Sequence, residues 1–476
     1  MNKKSVYSFL AVSVVMALFV VLTASAMADI VDRYNAAGEL TASGTDVGTV
    51  QKNADNGGPA EGDVIMISDT ATQAESYGNP ITSFTIQSST PGVKQTINAG
   101  TSRFYNFNDG AKTYNITLKD LDYQGNEAVV TNCIGVFFHS SPAMTMNLTL
   151  DNVSFTGFKE TEYTGAVMGF DSGTLNINAS NGVVFDGNQA LGTGSGEYRG
   201  GAINVSQKGS LTINVADNDV ITFKNNYATT CGSAINVGQK GTQIPATING
   251  NSLFENNSVG KWGGAVHVWG ALTFNGNTTF TNNTGTASDG GAIRQEGDGK
   301  YTITFNGDVA MTGNTAPAAA GGAICSNGIT MDSGSINFTN NSAKSYGGAI
   351  RVTTGDISMK ANSITFDGNH VSANDGGAIN AAGALSITGK SSDAVTTFSN
   401  NYSAYKGGAI NSGALTLNTG TFNFTGNYDT GSSDKYSDGG AIYCYGGTAI
   451  LNAACFWDLR TAKKGSMVLK TSMITT

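Results

Sequence analysis

The chain is poor in charged side chains and in proline. Only 13% of its 476 residues are charged and 6 are proline, whereas 63 are glycine. This composition excludes a charge-expanded disordered chain, a proline-rich linker and a collagen-like helix. The 26 basic and 35 acidic residues give a net charge of −9 and form no basic run. A nucleic-acid partner is therefore not expected.

Residue types that build catalytic and metal sites are also scarce. The three histidines, His139, His267 and His370, lie far apart, and the five cysteines form no C-x-x-C motif. The sequence thus indicates no catalytic triad and no zinc or redox site. Acidic residues do not cluster around a base as a polysaccharide lyase or glycosidase would require. We predict a protein without a cofactor, without a bound metal and without catalytic activity.

The first 28 residues have the pattern of a secretory signal peptide. Lys3 and Lys4 precede an apolar stretch, and Ala26-Met27-Ala28 forms an A-x-A cleavage site. No later stretch is apolar enough to form a transmembrane helix. We therefore expect an exported mature chain without a membrane-spanning helix.

Internal repetition dominates the remaining sequence. A G-G-A-[IV] tetrad begins at Gly200, Gly263, Gly290, Gly321, Gly347, Gly376, Gly407 and Gly439. Degenerate copies begin at Thr164 and Gly232. A second motif, F-x-[GN]-N, alternates with the tetrad; its first residues are Phe185, Phe223, Phe254, Phe280, Phe338, Phe366, Phe398 and Phe424, with Met311 replacing Phe in a ninth copy. Repeats of this length indicate a solenoid.

The repeats predict the geometry of each coil. Between the motifs, β-branched and aromatic residues alternate with polar ones, which is typical of short strands. The residue before the motif asparagine is always Gly or Asn, so we expect a left-handed turn there. The following asparagines are expected to form a hydrogen-bonded ladder, and the phenylalanines an inward aromatic column. Three short strands per coil, about 4.8 Å apart between coils, predict a parallel β-helix.

The repeat pattern also suggests how the chain is divided. We expect an N-terminal cap over residues 29–59, irregular β-helix coils over 60–160, and the regular repeat β-helix over 161–445. Residues 446–476 lack the second motif and are interpreted as a C-terminal cap or tail. Cys231 and Cys325 are too far apart along the solenoid for a disulfide. A bridge between Cys444 and Cys455 stays open at this stage.

The paired tetrad and F-x-x-N motifs resemble the chlamydial polymorphic outer-membrane proteins and related adhesin-like β-helix proteins. The resemblance covers roughly residues 160–445. It implies an exported, right-handed β-helix of pectin-lyase-like fold at the cell surface, associated with the outer membrane. It also implies attachment to a host-cell surface protein or glycan.

One group of residues is a candidate ligand-binding patch. The residue after each tetrad is expected to point outward, which includes His267 and Arg294. Trp269 and Glu296 follow two positions later, and Trp262 lies at a nearby turn. Tryptophan faces can stack on sugar rings, and Arg with Glu can bind hydroxyl groups. The alternative is an exposed surface with no ligand.

These observations favour a non-catalytic adhesin or binding rod. Two alternatives stay open at this stage: a polysaccharide lyase or glycoside hydrolase of pectin-lyase-like fold, and a structural component of a surface layer. Clustered acids near a base would favour the enzyme, and outer columns without aromatic residues would favour the structural role.

Overall fold

The computed structural model describes residues 29–53, 59–73, 81–100, 104–107, 111–125, 136–139, 144–161, 164–192, 199–431, 440–457, 468–469 and 473–475. The predicted signal peptide over 1–28 and Cys133 lie outside these residues. The described chain is an all-β parallel solenoid of about 11 turns, with one short helix, Val47–Lys52. No helix within this part of the chain is long and apolar enough to cross a bilayer.

The first strands differ from the rest because they pair antiparallel. Val31–Tyr34 lies between Leu40–Gly44 and Asp63–Ile67 and pairs antiparallel with both. From Asp63–Ile67 onward the named strands pair in parallel, beginning with Ser83–Ser88 and Thr113–Gln124. The solenoid therefore begins on a three-stranded antiparallel arrangement.

Each regular coil contributes four strand segments, one more than the sequence predicts. We call the first column the tetrad column, because from Ile203–Val205 onward each of its strands begins at the last residue of a tetrad. It contains Tyr105–Phe107, Phe137–His139, Met168–Phe170, Ile203–Val205, Ile235–Val237, Val266–Val268, Ile293–Gln295, Ile324–Ser326 and Ile350–Val352. The second column contains Thr113–Gln124, Thr145–Thr156, Gly173–Ser180, Gly209–Val215, Ala246–Asn249, Leu272–Phe274, Ile303–Phe305, Ile329–Asp332 and Ile357–Ala361. In the last coils the strand Ile379–Gly389 runs through both of these columns. The strands Ile410–Thr425 and Ile442–Trp457 also continue into a third column.

The third column stacks beside the second. Its separate strands are Ala71–Gln73, Gln95–Ala99, Val184–Asp186, Val220–Lys224, Asn251–Glu255, Thr278–Thr281, Val309–Thr312, Ser335–Thr339, Ser363–Asp367 and Val395–Ser399. The C-terminal parts of Thr113–Gln124 and Thr145–Thr156 belong to it as well. A short column of two-residue strands forms a separate 10-stranded sheet: Lys159–Glu160, Gln189–Ala190, Tyr227–Ala228, Ser258–Val259, Thr284–Gly285, Thr315–Ala316, Ser342–Ala343, His370–Val371, Tyr402–Ser403 and Tyr428–Asp429. Val468–Leu469 and Met473–Thr475 pair with Ile442–Trp457.

The predicted left-handed turn is confirmed on every motif-bearing coil. The residue before the motif asparagine has a φ between 53° and 66° at Gly187, Asn225, Asn256, Asn282, Gly313, Asn340, Gly368, Asn400 and Gly426. Only Gly and Asn adopt this conformation at low cost, which explains the restricted residue choice. The turn redirects the chain from the third column into the short column.

The predicted asparagine ladder is also confirmed. Its members are Asn188, Asn226, Asn257, Asn283, Asn314, Asn341, Asn369, Asn401 and Asn427, all buried. At Asn283, Nδ2 donates to the Phe254 carbonyl at 3.0 Å and to Asn314 Oδ1 at 2.9 Å. The Asn283 Oδ1 in turn accepts from the backbone N–H and the side chain of Asn257, both at 3.0 Å. Each amide therefore satisfies buried polar groups on both neighbouring coils.

The motif phenylalanines form the predicted inward column. Successive rings from Phe155 to Phe280 stack with centroids 4.4–5.1 Å apart. Met311 interrupts the column, and stacking resumes from Phe338 to Phe424 at 4.9–5.1 Å. The rings are thus spaced by the distance between parallel strands.

The tetrad glycines are required by close backbone contacts. Gly200 has a φ of 65°, and a Cβ there would lie 2.2 Å from the carbonyl oxygen of Ile203. A Cβ at Gly201 would lie 2.1 Å from the carbonyl oxygen of Ser233 on the next coil. The first glycine lets the chain fold over its own following strand, and the second lets neighbouring coils stack.

The four cysteines among the described residues are free thiols. Cys231, Cys325 and Cys444 are buried and Cys455 is partly buried, with none in a disulfide. The bridge left open between Cys444 and Cys455 is not formed.

We predict that Asn283→Ala destabilises the protein far more than Asn275→Ala. Asn283 belongs to the buried ladder, whereas Asn275 is exposed and donates to Asn249 on the surface. Loss of the Asn283 side chain leaves the buried Phe254 carbonyl and the buried Asn257 backbone N–H without that partner, which costs about 2 kcal/mol or more. Urea unfolding followed by circular dichroism measures the difference. Equal midpoints for the two variants would contradict a stabilising role of the ladder.

Candidate functional site

The residues after the tetrads form a polar column on the outer side of the tetrad strands. The prediction that these residues are exposed is wrong for most of them. Asn204 and Asn236 are fully buried, His267 is 1% exposed, and Cys325 is 6% exposed. Arg294 and Arg351 are half-buried.

The reason is the fold of the chain before each tetrad. The left-handed glycine turns this segment back over the strand that follows, so it covers the outer side chain. At Gly263, with a φ of 81°, an added Cβ would lie 2.9 Å from the Cβ of His267. Period-two alternation in the sequence identifies the side chains that point away from the core. It does not show whether another segment of the chain covers them.

His267 links three coils through hydrogen bonds. Its Nδ1 lies 2.8 Å from Oδ1 of Asn236, whose Nδ2 donates to Asn204 at 2.8 Å. Its Nε2 lies 3.4 Å from Oε1 of Glu296 on the next coil. Each ring nitrogen therefore faces an oxygen acceptor, and a neutral imidazole, which carries one N–H, donates to one of them.

Arg294 lies between two carboxylates. Its Nε lies 2.7 Å from Glu296 Oε1, and its Nη1 lies 3.4 Å from Asp289 Oδ2. The same Nη1 donates to Ser288 Oγ at 2.7 Å. These bonds fix the guanidinium plane. The expectation that no acidic residues cluster around a base is therefore wrong at this place. Since both carboxylates are engaged by the cation between them, neither is placed as a free general acid.

The two tryptophans contribute differently to the patch. Trp262 is 46% exposed and lies beside Cys231 through a parallel backbone bridge. Trp269 is half-buried, and its ring meets the His267 ring edge to face with centroids 6.0 Å apart. The structure thus joins His267, Trp269, Arg294 and Glu296 through side-chain contacts. Trp262, the exposed aromatic side chain, directly precedes Gly263, which packs against the buried His267.

Burial and charge together set the ionisation of this cluster. Burial lowers the pKa of His267 and outweighs the opposite effect of Glu296, so the imidazole favours its neutral form. Burial acts to raise the pKa of Glu296, but the hydrogen bond from His267 and the charge of Arg294 outweigh it, and the net pKa is lowered. Burial also raises the pKa of the neighbouring Cys231 thiol to about 12, so it is not a reactive thiolate.

Sequence reasoning missed two partners of the patch. Asp289 and Ser288 precede the tetrad at Gly290, and the glycine turn brings them onto Arg294. Their spacing of five and six residues from Arg294 across a G-G turn is the signal that could have identified them. No group of three or more His, Cys, Asp or Glu side chains suited to a metal ion occurs among the described residues.

We predict that His267 makes stability depend on pH. Because burial lowers its folded pKa, the unfolded chain binds the proton more readily, and protonation favours unfolding. The stability that the neutral His267 contributes is complete above the ordinary histidine pKa of about 6.5, and it is lost as the pH falls below that value. Thermal unfolding between about pH 7.5 and pH 5.5 should show a shallower loss of Tm for His267→Gln than for the parent. An unchanged slope in His267→Gln would show that His267 does not cause the dependence.

The repeats match one known family. The Chlamydia polymorphic membrane protein repeat matches residues 251–268, 335–353, 363–382 and 395–413. Each matched segment contains one F-x-x-N motif and the tetrad that follows it. No curated protein and no solved structure matches the chain. The chain therefore contains copies of the Chlamydia polymorphic membrane protein repeat, as its motifs had indicated.

Proposed function

We propose that the protein is an exported, non-catalytic adhesin that acts as a rigid binding rod at the cell surface. The polymorphic membrane protein repeat and the parallel solenoid support this proposal. The proposal includes a signal peptide over 1–28, a cap over 29–59, a right-handed helical sense and association with the outer membrane. The partner is a protein or glycan on a host-cell surface.

The observation that carries the proposal is an exposed tryptophan beside a fixed set of polar groups. Trp262, 46% exposed, offers a large aromatic surface, and exposed aromatic residues contribute strongly to binding. Arg294 and Glu296 are half-buried and hydrogen-bonded, so little conformational entropy is lost when they meet a ligand. Arg294 lies in the strand Ile293–Gln295 and Glu296 directly follows it, so the polar groups of the patch are preorganised.

The same geometry supports binding rather than catalysis. A lyase or glycosidase needs a carboxyl or basic group free to exchange a proton with its substrate. In the patch, Arg294 engages Asp289 and Glu296, and His267 faces an oxygen acceptor at each ring nitrogen. These are the contacts of a fixed recognition surface.

We predict that Trp262→Ala weakens attachment of the purified chain to cultured host cells at least about tenfold, as expected for a central aromatic contact. Tyr405→Ala is the matched control, because Tyr405 is 40% exposed and lies on a distant coil. Flow cytometry of fluorescently labelled protein measures both variants, and thermal unfolding verifies that they are folded. Equal attachment of parent and Trp262→Ala would exclude the patch. Release of glycan fragments by the parent protein would contradict the non-catalytic proposal and indicate an enzyme.

A further inference from the structure

The second column has a repeated sequence on its outer face that the patch does not include. Four successive coils contain T-x-N, in which x is an inward Ile or Phe: Thr212-Ile213-Asn214, Thr247-Ile248-Asn249, Thr273-Phe274-Asn275 and Thr304-Phe305-Asn306. The central residues are buried, whereas the threonines and asparagines are half-buried or exposed. We call these four threonines and four asparagines the T-x-N array.

The strands hold the array in register. Thr212 pairs with Thr247, Thr247 with Thr273, and Thr273 with Thr304. The hydroxyl column continues through Thr330, Ser358, Ser386 and Thr416 on the following coils. The result is eight consecutive coils with a small hydroxyl side chain at one outer position, spaced by about 4.8 Å along the axis.

The asparagines of the array are joined along the axis. Nδ2 of Asn249 donates to Oδ1 of Asn214 at 2.7 Å, and Asn275 donates to Asn249 at 2.6 Å. In the same way, Nδ2 of Asn306 donates to Oδ1 of Asn275 at 2.7 Å, and Nδ2 of Asn214 donates to Oδ1 of Asn178 at 3.0 Å. All four amides therefore point the same way, and each keeps one N–H for a ligand.

The outer face of the third column shows that such regularity is not a general property of the solenoid. There, Thr222, Leu253, Thr279 and Ala310 occupy equivalent outer positions of successive coils. The next outer position holds Lys224 and Glu255. A mixture of residue types on an outer face is therefore compatible with a soluble strand column. The T-x-N array, by contrast, contains only uncharged groups that both donate and accept hydrogen bonds.

An aromatic residue lies at the edge of the array. Tyr301 precedes the strand Ile303–Phe305, is half-buried, and donates its hydroxyl to Gln243 Oε1 at 3.0 Å. Because Gln243 precedes the strand Ala246–Asn249, the bond joins coils that are not adjacent in sequence. The phenol ring is thereby held just before the strand that carries Thr304 and is followed by Asn306.

We propose that the T-x-N array binds an extended, uncharged polysaccharide that lies along the solenoid axis. A sugar polymer offers hydroxyl groups at regular intervals and can both donate to and accept from Thr and Asn side chains. The array has no charge with which to attract an ionic polymer. Its side chains are fixed by strand pairing and the amide ladder, so many weak hydrogen bonds form at small entropic cost.

The experiment is co-sedimentation of the purified full chain with insoluble cellulose and chitin, with soluble pectate as an anionic competitor. The triple variant Thr247→Val, Thr273→Val, Thr304→Val removes three hydroxyls and keeps side-chain shape and strand propensity. We expect its apparent Kd to rise at least about tenfold, since three hydrogen-bonding groups of the array are lost. The matched control is Thr222→Val, Thr279→Val, Thr365→Val on the third column, which should retain parental affinity. Thermal unfolding verifies that both triple variants are folded.

The outcomes separate this site from the proposed adhesin patch. If Trp262→Ala still co-sediments with the polysaccharide and the array variant does not, the polysaccharide site is supported, whether or not the protein also binds cells. Equal affinity of parent and array variant would overturn it, and so would effective competition by pectate. No retention on either polymer, combined with a gap between freezing and melting temperatures of the solution, would also overturn it and assign the array to ordered water.

Discussion

The buried amide of the F-x-[GN]-N motif is the interaction on which the solenoid depends. At this point every coil leaves the third column through a left-handed residue, and backbone N–H and C=O groups would otherwise be buried without partners. The asparagine side chain supplies one acceptor and two donors to the adjacent coils. Because each coil satisfies the groups of its neighbours, the ladder fixes the stacking register of the whole column.

The tetrad glycines allow close backbone packing at another corner of the coil. Their missing Cβ atoms allow the chain to pass within van der Waals contact of its own next strand and of the next coil. The segment that is folded over in this way covers the outer side chains of the tetrad strands. A polar column thus becomes a buried network that includes Asn236 and His267. The network stiffens the surface on which Trp262 and Arg294 lie.

The two proposed surfaces use different chemistry. The patch around Trp262 combines an aromatic face with opposite charges, and it occupies only a few coils. The T-x-N array is uncharged, repeats over four successive coils and contains no large side chain. A rod of this kind can display both because each strand column faces a different direction. Neither surface requires a change in the inward side chains that hold the solenoid together.

The sequence by itself determined the inner structure of the coil. Phe280, Asn282 and Asn283 were assigned an inward ring, a left-handed turn and a ladder position from residue type alone, because each geometry admits very few residues. The short column was not anticipated, since two-residue strands such as Tyr402–Ser403 are too brief to show alternation. The burial of His267 and the contact of Asp289 with Arg294 were decided by tertiary structure. Both depend on how the glycine turn packs over the following strand, a contact that no local pattern encodes.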